Sequence, residues 1–401
     1  MKLFLLFLIF TSYSFANILQ KTIDEATPYS TIKLSNAIYI GDLTINKPLS
    51  IIGQGDNVII QGSSSTSVIK INSSNVILKN LTITNSGNRI DKIDSAVSIY
   101  KAQYVELNTC KLLNSLYGID MNMVSNSKIL NNYITSKKLD MNLRGNALKL
   151  YYSHNNIIQN NTIEYSKDVT LNYSNNNLFK DNKFNHNRFA SHLSISHKNN
   201  FIQNRYMYNS VSIMLMGAKD TNITNNIIQS SNGASGIGIV IGMVSNLTFE
   251  YNTLKYNAKA LYIEGLEKQR GMKRYINNNT IAYNGEAFHF HASIKDNTIT
   301  HNNIYGNIDD VVKDVPSKSS NSNLIEYNYW DRYAGFDKNH DGIGDTPHKY
   351  YQYADQLWHF NHKIKFFYAS PIMTLLNFIT NLAPFIEPNL LLVDERPIFM
   401  N

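Results

Sequence analysis

The chain has 401 residues, 17% of them charged, a formal net charge of +7 and one cysteine. A lone cysteine excludes an intrachain disulfide framework. The basic excess is spread too thinly for a nucleic-acid stripe, its densest cluster being Lys268 to Arg274.

In chain order, Met1-Lys2, the apolar run Leu3 to Phe10 and Ser14-Phe15-Ala16 read as a secretory signal peptide over residues 1–16, with mature chain from about Asn17. The apolar run is too short to span a bilayer, and no cysteine follows it to carry a lipid. Export to a periplasm is the expectation. Ile18, Leu19, Ile23 and Ala26 then recur at helical spacing, predicting a cap over an otherwise open sheet edge. Ile38 to Gly53 reads as strand, turn, strand, with Gly53 and Gly55 at the bends.

From Val76 to Trp330 one pattern recurs: an apolar residue, then Asn or a stand-in, then an apolar residue. It reads Leu78-Asn80-Ile83, Ile129-Asn131-Ile134, Ile158-Asn160-Ile163, Phe179-Asp181-Phe184, Ile202-Asn204-Met207, Ile223-Asn225-Ile228, Ile276-Asn278-Ile281 and Ile294-Asp296-Ile299. The step of roughly 18–31 residues marks a solenoid. Asn suits a left-handed corner between two short strands. A third alternating run follows each pair, such as Val97-Ser98-Ile99, Ile213-Met214-Leu215 or Phe288-His289-Phe290. Three short strands per turn predict an all-β fold: a right-handed parallel β-helix over residues 17–335, followed by a loop-and-helix extension over 336–401. Roughly 11 coils at the strand spacing give a rod on the order of 50 Å long. The repeated Asn are expected to stack into an amide ladder, which accounts for the many Asn-x-Ser/Thr triplets without glycosylation. Cys110 falls in an apolar strand and reads as a buried, inert thiol.

Alternation on the third strand sets the candidate ligands. With Ile213 and Leu215 inward, Met214 and Met216 project outward, and His192 projects one coil below Met214. His289 and His291 project outward beside Phe288 and Phe290. Thioether and imidazole suit copper. The Met pair and the His pair stand about three coils apart, on the order of 14 Å, too far for one mononuclear site. Met121 and Met123 are expected inward. Polysaccharide chemistry on the same face would need paired acids. Asp120 and Lys149 can be neighbours there, but no carboxylate pair shows. A lyase or hydrolase and a passive surface solenoid are the rival readings, and no catalytic residue is assigned.

After Asn328-Tyr329-Trp330-Asp331 the pattern changes. Asp337, Asn339, Asp341, the Ile343 carbonyl and Asp345, with Gly342 at the sharp turn, match the first nine positions of an EF-type calcium loop. Position twelve is His348 and not the bidentate Glu, so another carboxylate, such as Asp355, or water has to complete the shell. Ser370-Pro371 opens a helix with Ile372, Leu375, Leu376 and Ile379 on one face. Pro384, Pro388 and Pro397 keep the tail extended. Helix and tail either cap the rod or dock on a partner.

The signal peptide, the solenoid and this terminal block together resemble the NosD family. The block comprises Asn328-Tyr329-Trp330-Asp331, the Asp337–Asp345 loop with Pro347, Asp355 with Leu357, Ser370-Pro371, Leu375-Leu376, and Asp394 with Pro397. The resemblance implies a β-helix of the carbohydrate-binding and sugar-hydrolase type and a periplasmic accessory role in assembling the copper–sulfur centre of nitrous oxide reductase. Implied partners are an ABC transporter permease and ATPase, a copper chaperone lipoprotein and the apo-reductase, with transient Cu(I) as cofactor and membrane association only through partners. ATP would be hydrolysed by the partner, since no phosphate-binding Gly-x-x-x-x-Gly-Lys-Ser/Thr loop occurs here.

Overall fold

Short alternating segments, separated by residues that accept a left-handed backbone, wind into a right-handed parallel β-helix in the computed structural model. Residues 18–233, 235–264, 273–291, 294–314, 322–352, 363, 367, 370–382 and 389–399 are described. The expected signal peptide and Asp355 lie outside them. Three sheets run the length of the rod. Sheet A starts at Thr31–Leu34, sheet B at Ala37–Ile40 and sheet C at Leu43–Ile45, with thirteen, thirteen and twelve strands. Repeats counted from the Asn pattern fall short of this because the first coils carry few Asn.

Strands two to six residues long alternate inward and outward, so each coil contributes a few fully buried side chains to one continuous core. Aromatic rings stack along the axis inside it, Phe179 on Phe201 at 4.9 Å and Phe184 on Tyr206 at 4.7 Å.

The corner between sheets A and B keeps Asn204 on the expected ladder and moves the rung one residue on at the other Asn or Asp corners that a second Asn follows. Asn131, Asn160, Asp181, Asn225 and Asn278 hold the left-handed turn, with φ between 55° and 58°. The residue after each of them, turned inward, forms the rung: Asn132, Asn161, Asn182, Asn226 and Asn279, with Asn204, Asn252, Asn302 and Asn328 completing the series. Each rung donates its Nδ2 to the next rung's Oδ1, for example Asn161 to Asn182 at 3.0 Å and Asn182 to Asn204 at 3.0 Å. That Oδ1 also accepts the preceding rung's backbone N–H, at 3.0 Å for Asn161 on Asn182. The second Nδ2 hydrogen reaches a carbonyl of the preceding coil, as Asn182 does to Ile158 at 2.8 Å. Cys110 occupies the coil below Asn132 and donates its N–H to that Oδ1 at 2.8 Å. Burial pushes its thiol up to about 11, consistent with an inert group. Asn257, Asn284 and Asn307 form a second ladder at the corner between sheets B and C. Met121 is core, as expected. Met123 is not: it takes a left-handed corner position, φ 57°, and is 46% exposed.

Both ends of the rod are covered. The helix Ile18–Glu25 buries Leu19 and Ile23, and its Gln20 amide pairs with Thr44 of the first sheet C strand through two hydrogen bonds of 2.8 and 3.0 Å. At the other end Asn389–Asp394 pairs antiparallel with His348–Gln352, and Ile398 bridges Tyr329. Asp394 is fully buried on the last rung. Its Oδ2 accepts from Asn328 Nδ2 at 2.8 Å, Asn328 N–H at 3.2 Å and Trp330 Nε1 at 2.9 Å. Of the two expectations for the tail, capping holds for residues 389–398. The helix Pro371–Leu382 differs: Ser370 caps its N-terminus and Met373 is buried, while Ile372, Leu375, Leu376 and Ile379 are exposed. Among the described residues no helix is long and apolar enough to cross a membrane.

Candidate functional site

Sheet C gathers the chemistry because its outward side chains form two adjacent columns. Register places Asp120, Lys149, Thr170, His192, Met214, Val240, Tyr262 and His289 in the first column. The second runs Ser194, Met216, Gly242, and then Glu264 and His291, which follow the paired residues Ile263 and Phe290. His192 is therefore the direct neighbour of Met214, as strand alternation predicts. It is partly buried, lies edge-on to Phe189 at 5.4 Å, and burial holds its pKa below the usual histidine value. A neutral imidazole beside a thioether is the form that binds metal.

Gly242 creates the opening in the second column. A Cβ built there would lie 2.6 Å from Glu264 Oε2 and 2.9 Å from Met216 Sδ. Sulfur and carboxylate thus converge over bare backbone, where any other residue would push them apart. Gly242 and Glu264 escaped attention in the sequence because they were not counted in register with Met216. Continuing the Ile213-Met214-Leu215-Met216 alternation through Ile241-Gly242 and Ile263-Glu264 would have found them.

The histidine pair sits in a different environment. His289 is buried, its Nδ1 against Glu286 and its Nε2 2.9 Å from Asp314 Oδ2. Lys259 Nζ reaches both Glu286 oxygens at 2.7 and 2.8 Å. Burial works against the charged imidazole, but Asp314 and Glu286 outweigh it and raise the His289 pKa. Glu286 is likewise held below the usual range despite burial, by His289 and Lys259. Both ring nitrogens of His289 are thus engaged by carboxylates, and Lys259 Nζ also stands 2.8 Å from Nδ1. His291 is half exposed, with Nδ1 3.1 Å from Asp314 Oδ2. Among the described residues no three His, Cys, Asp or Glu side chains converge closely enough to hold a metal ion. Two further acids of this face are paired, Asp120 with Lys149 at 3.2 Å and Asp168 with Arg188 at 2.5 Å.

The Asp337–Asp345 loop closes on its own amides. Asp337 accepts from Asp341 N–H at 3.2 Å and Gly342 N–H at 2.9 Å, Asp341 accepts from Ile343 N–H at 2.8 Å, and Asp345 accepts from Lys338 N–H at 2.7 Å. Gly342 adopts the left-handed turn, φ +84°. His348, at position twelve, is buried against Trp330 at 5.3 Å and not in the loop.

A family model described as "Periplasmic copper-binding protein (NosD)" matches residues 131–335. The "Probable ABC transporter binding protein NosD" of Stutzerimonas stutzeri is 29% identical over 113 residues, spanning 28% of this chain and 26% of that protein's length. Among solved structures, the Azotobacter vinelandii mannuronan C-5 epimerase AlgE6 A-module superposes with a TM-score of 0.57 at 15% identity, covering 76% of this chain and 93% of its own. The bacteriophage Phi29 gene product 12 N-terminal fragment gives 0.58 at 14%, covering 77% and 67%. At these identities the likeness is one of fold.

Proposed function

The chain belongs to the NosD family, described as periplasmic copper-binding proteins, and from that premise we propose that it carries copper as cargo on the outer face of sheet C. The observation that carries this reading is the convergence of Met216 Sδ and Glu264 Oε2 over Gly242, one coil above Met214 and two above His192. Thioethers favour Cu(I), and His291 continues the same column beyond Glu264. His289 serves as an ion-paired anchor beside it. The recipient is the apo form of nitrous oxide reductase, the donor a copper chaperone lipoprotein. Purified protein is expected to bind Cu(I) with roughly micromolar affinity or better. Competition with a chromogenic Cu(I) chelator should show Met214→Ala/Met216→Ala weakening binding roughly tenfold or more. Gly242→Ala should weaken it too, by splaying Met216 from Glu264. Unchanged affinity in the double variant would remove sheet C from the copper path.

An ABC transporter permease and its ATPase are the partners we assign to the exposed apolar face of Pro371–Leu382, in keeping with the name of the Stutzerimonas relative. Because residues 389–398 are built into the rod, the check is a local one. Leu375→Glu/Ile379→Glu should fold normally and lose co-purification with the permease; retained co-purification would free the helix of that role. We assign the chain no catalysis, a reading supported by the pairing of Asp120, Asp168 and Glu286 with basic side chains. Calcium at Asp337, Asn339, Asp341, the Ile343 carbonyl and Asp345 is the remaining proposal. It predicts a rise in Tm with added calcium that Asp341→Ala abolishes, and an equal Tm with calcium or chelator present would dismiss it.

A further inference from the structure

Sheet B carries a feature that copper handling does not use. Successive rungs are spaced 21 residues apart between Asn161 and Asn182 but 29 between Asn132 and Asn161. The extra residues form a loop after the strand Tyr133–Ser136, with a short helical turn at Met141–Leu143. Its two ends are pinned to the coil below, through Lys137 N–H on the Ser115 carbonyl at 3.2 Å and Gly145 N–H on the Leu116 carbonyl at 3.0 Å. Arg144 closes the loop through the Leu139 carbonyl at 2.7 Å and ties it to the coil above through the Tyr165 carbonyl at 2.8 Å. A strand irregularity between Leu112 and Ser115 shapes the facing wall.

The result is a fixed concavity of about 600 Å³, lined by Leu113, Tyr133, Tyr165, Lys137, Lys138 and Arg144. Its volume falls within the usual range for small-molecule sites, roughly 300–1,000 Å³. The cations set its character. Lys137 Nζ is held by the Ser86 carbonyl at 2.6 Å and Asn88 Oδ1 at 2.7 Å. No ion pair among the described residues involves Lys137, Lys138 or Arg144. The acid nearest Lys137 in effect, Asp94, is bound to Arg89 at 3.6 Å. Glu164, the acid beside the mouth, accepts the Tyr133 hydroxyl at 2.5 Å. Beyond the mouth the outward column of Tyr133 continues with Lys111 on one side and Lys183 and Arg205 on the other.

Neutral oxygens position Lys137 and Arg144 without cancelling their charge, and Lys138 stands exposed beside them, so the concavity is set up for an anion. Two tyrosine rings on its walls suit a ligand with a flat or apolar ring face. Basic residues recurring along the rod suit one that carries a charge on each successive unit. We propose that this concavity binds a carboxylated saccharide, one uronate ring seated among Lys137, Lys138 and Arg144 and its neighbours lying along sheet B. An acidic protein would need a contact of roughly 800 Å² per partner, far wider than this mouth.

The test is calorimetric titration of the full chain with hexagalacturonate. Maltohexaose, hexaglutamate and inorganic phosphate serve as separate probes. Saturable binding of hexagalacturonate is expected, weakening as salt is raised, with maltohexaose much weaker. Lys138 is exposed, so Lys138→Ala should fold as the parent does while losing roughly tenfold in affinity, the worth of one charged hydrogen bond. Its Cu(I) affinity should be unchanged, which separates failure here from failure of the copper reading. Absence of saturable heat, equal binding of hexaglutamate or of phosphate alone, or full affinity in Lys138→Ala would each overturn the proposal.

Discussion

Replacing Asp394 with alanine is expected to cost about 3–5 kcal/mol, because it leaves several buried donors with nothing to bond. The cause lies in the polarity of the asparagine ladder. Every rung points its Nδ2 toward the C-terminal end and its Oδ1 toward the rung before. The first Oδ1 is satisfied by the Cys110 N–H, but the last rung, Asn328, ends in donors. Only an acceptor can terminate that series, and one Asp394 oxygen takes Asn328 Nδ2, the Asn328 N–H and Trp330 Nε1 together. Burial raises the Asp394 pKa, and the four hydrogen bonds it accepts oppose that shift. Deleting the carboxyl therefore relieves a desolvation cost as well as orphaning donors, which is why the figure stays below the sum of its hydrogen bonds. Asp394→Asn keeps one acceptor oxygen and should cost less than half as much. A solenoid transmits such a loss only to its neighbours, so hydrogen exchange should quicken first around Leu324–Trp330 and only later toward the middle of the rod. An Asp394→Ala protein whose Tm falls by less than about 2 °C, with exchange unaltered in the last coil, would show that the ladder needs no terminator.

How much of this was legible beforehand follows the physics of the repeat. Solenoid and handed corner were readable because apolar spacing and Asn both report local geometry. Asn204 stands alone and is the rung itself, whereas in tandem Asn pairs, such as Asn131-Asn132 or Asn160-Asn161, the rung is the second and not the first, a choice hidden because the two amides have equal chemistry. Which of them turns inward is decided by stacking, a long-range fact. Met123 was read as core for the same reason: alternation was extended one residue past the strand, into a left-handed corner. His192 beside Met214 came through because register follows once inward positions are known. The Lys259–Glu286–His289–Asp314 cluster did not, since its members come from three successive coils and only Glu286 and His289 share a strand. The sheet B concavity has a visible signal in the long step from Ile134 to Ile163, but uneven steps are compatible with a single repeat and do not by themselves mark a loop.

The second ladder reaches the same requirement and meets it differently. Asn307, its last rung, donates Nδ2 to Asp310 Oδ1 at 3.2 Å. Asp310 is fully buried, its Oδ2 has no hydrogen bond, and Arg332 Nε lies 4.0 Å away. Burial outweighs Arg332 and pushes the Asp310 pKa to about 7. An acid whose pKa is raised on folding binds protons more tightly in the native state, so its contribution to stability is complete below the unfolded value, near 3.8, and is lost as pH rises through about 7. Stability measured by chemical denaturation should therefore carry a component that falls between pH 4 and pH 7, on the order of a few kcal/mol. Asp310→Asn accepts the same Asn307 hydrogen without ever ionising, and should remove that component. Glu286 works in the opposite sense, its depressed pKa costing stability as pH falls, so the parent curve alone mixes the two and the difference between parent and Asp310→Asn isolates one. Parallel curves from pH 4 to pH 8 would mean that Asp310 is ionised throughout and that Arg332, despite its distance, neutralises it. A difference that grows with pH would make the far end of the rod tightest in mildly acidic surroundings, with one ladder terminated by a carboxylate bonded from several sides and the other by a carboxyl group that keeps its proton.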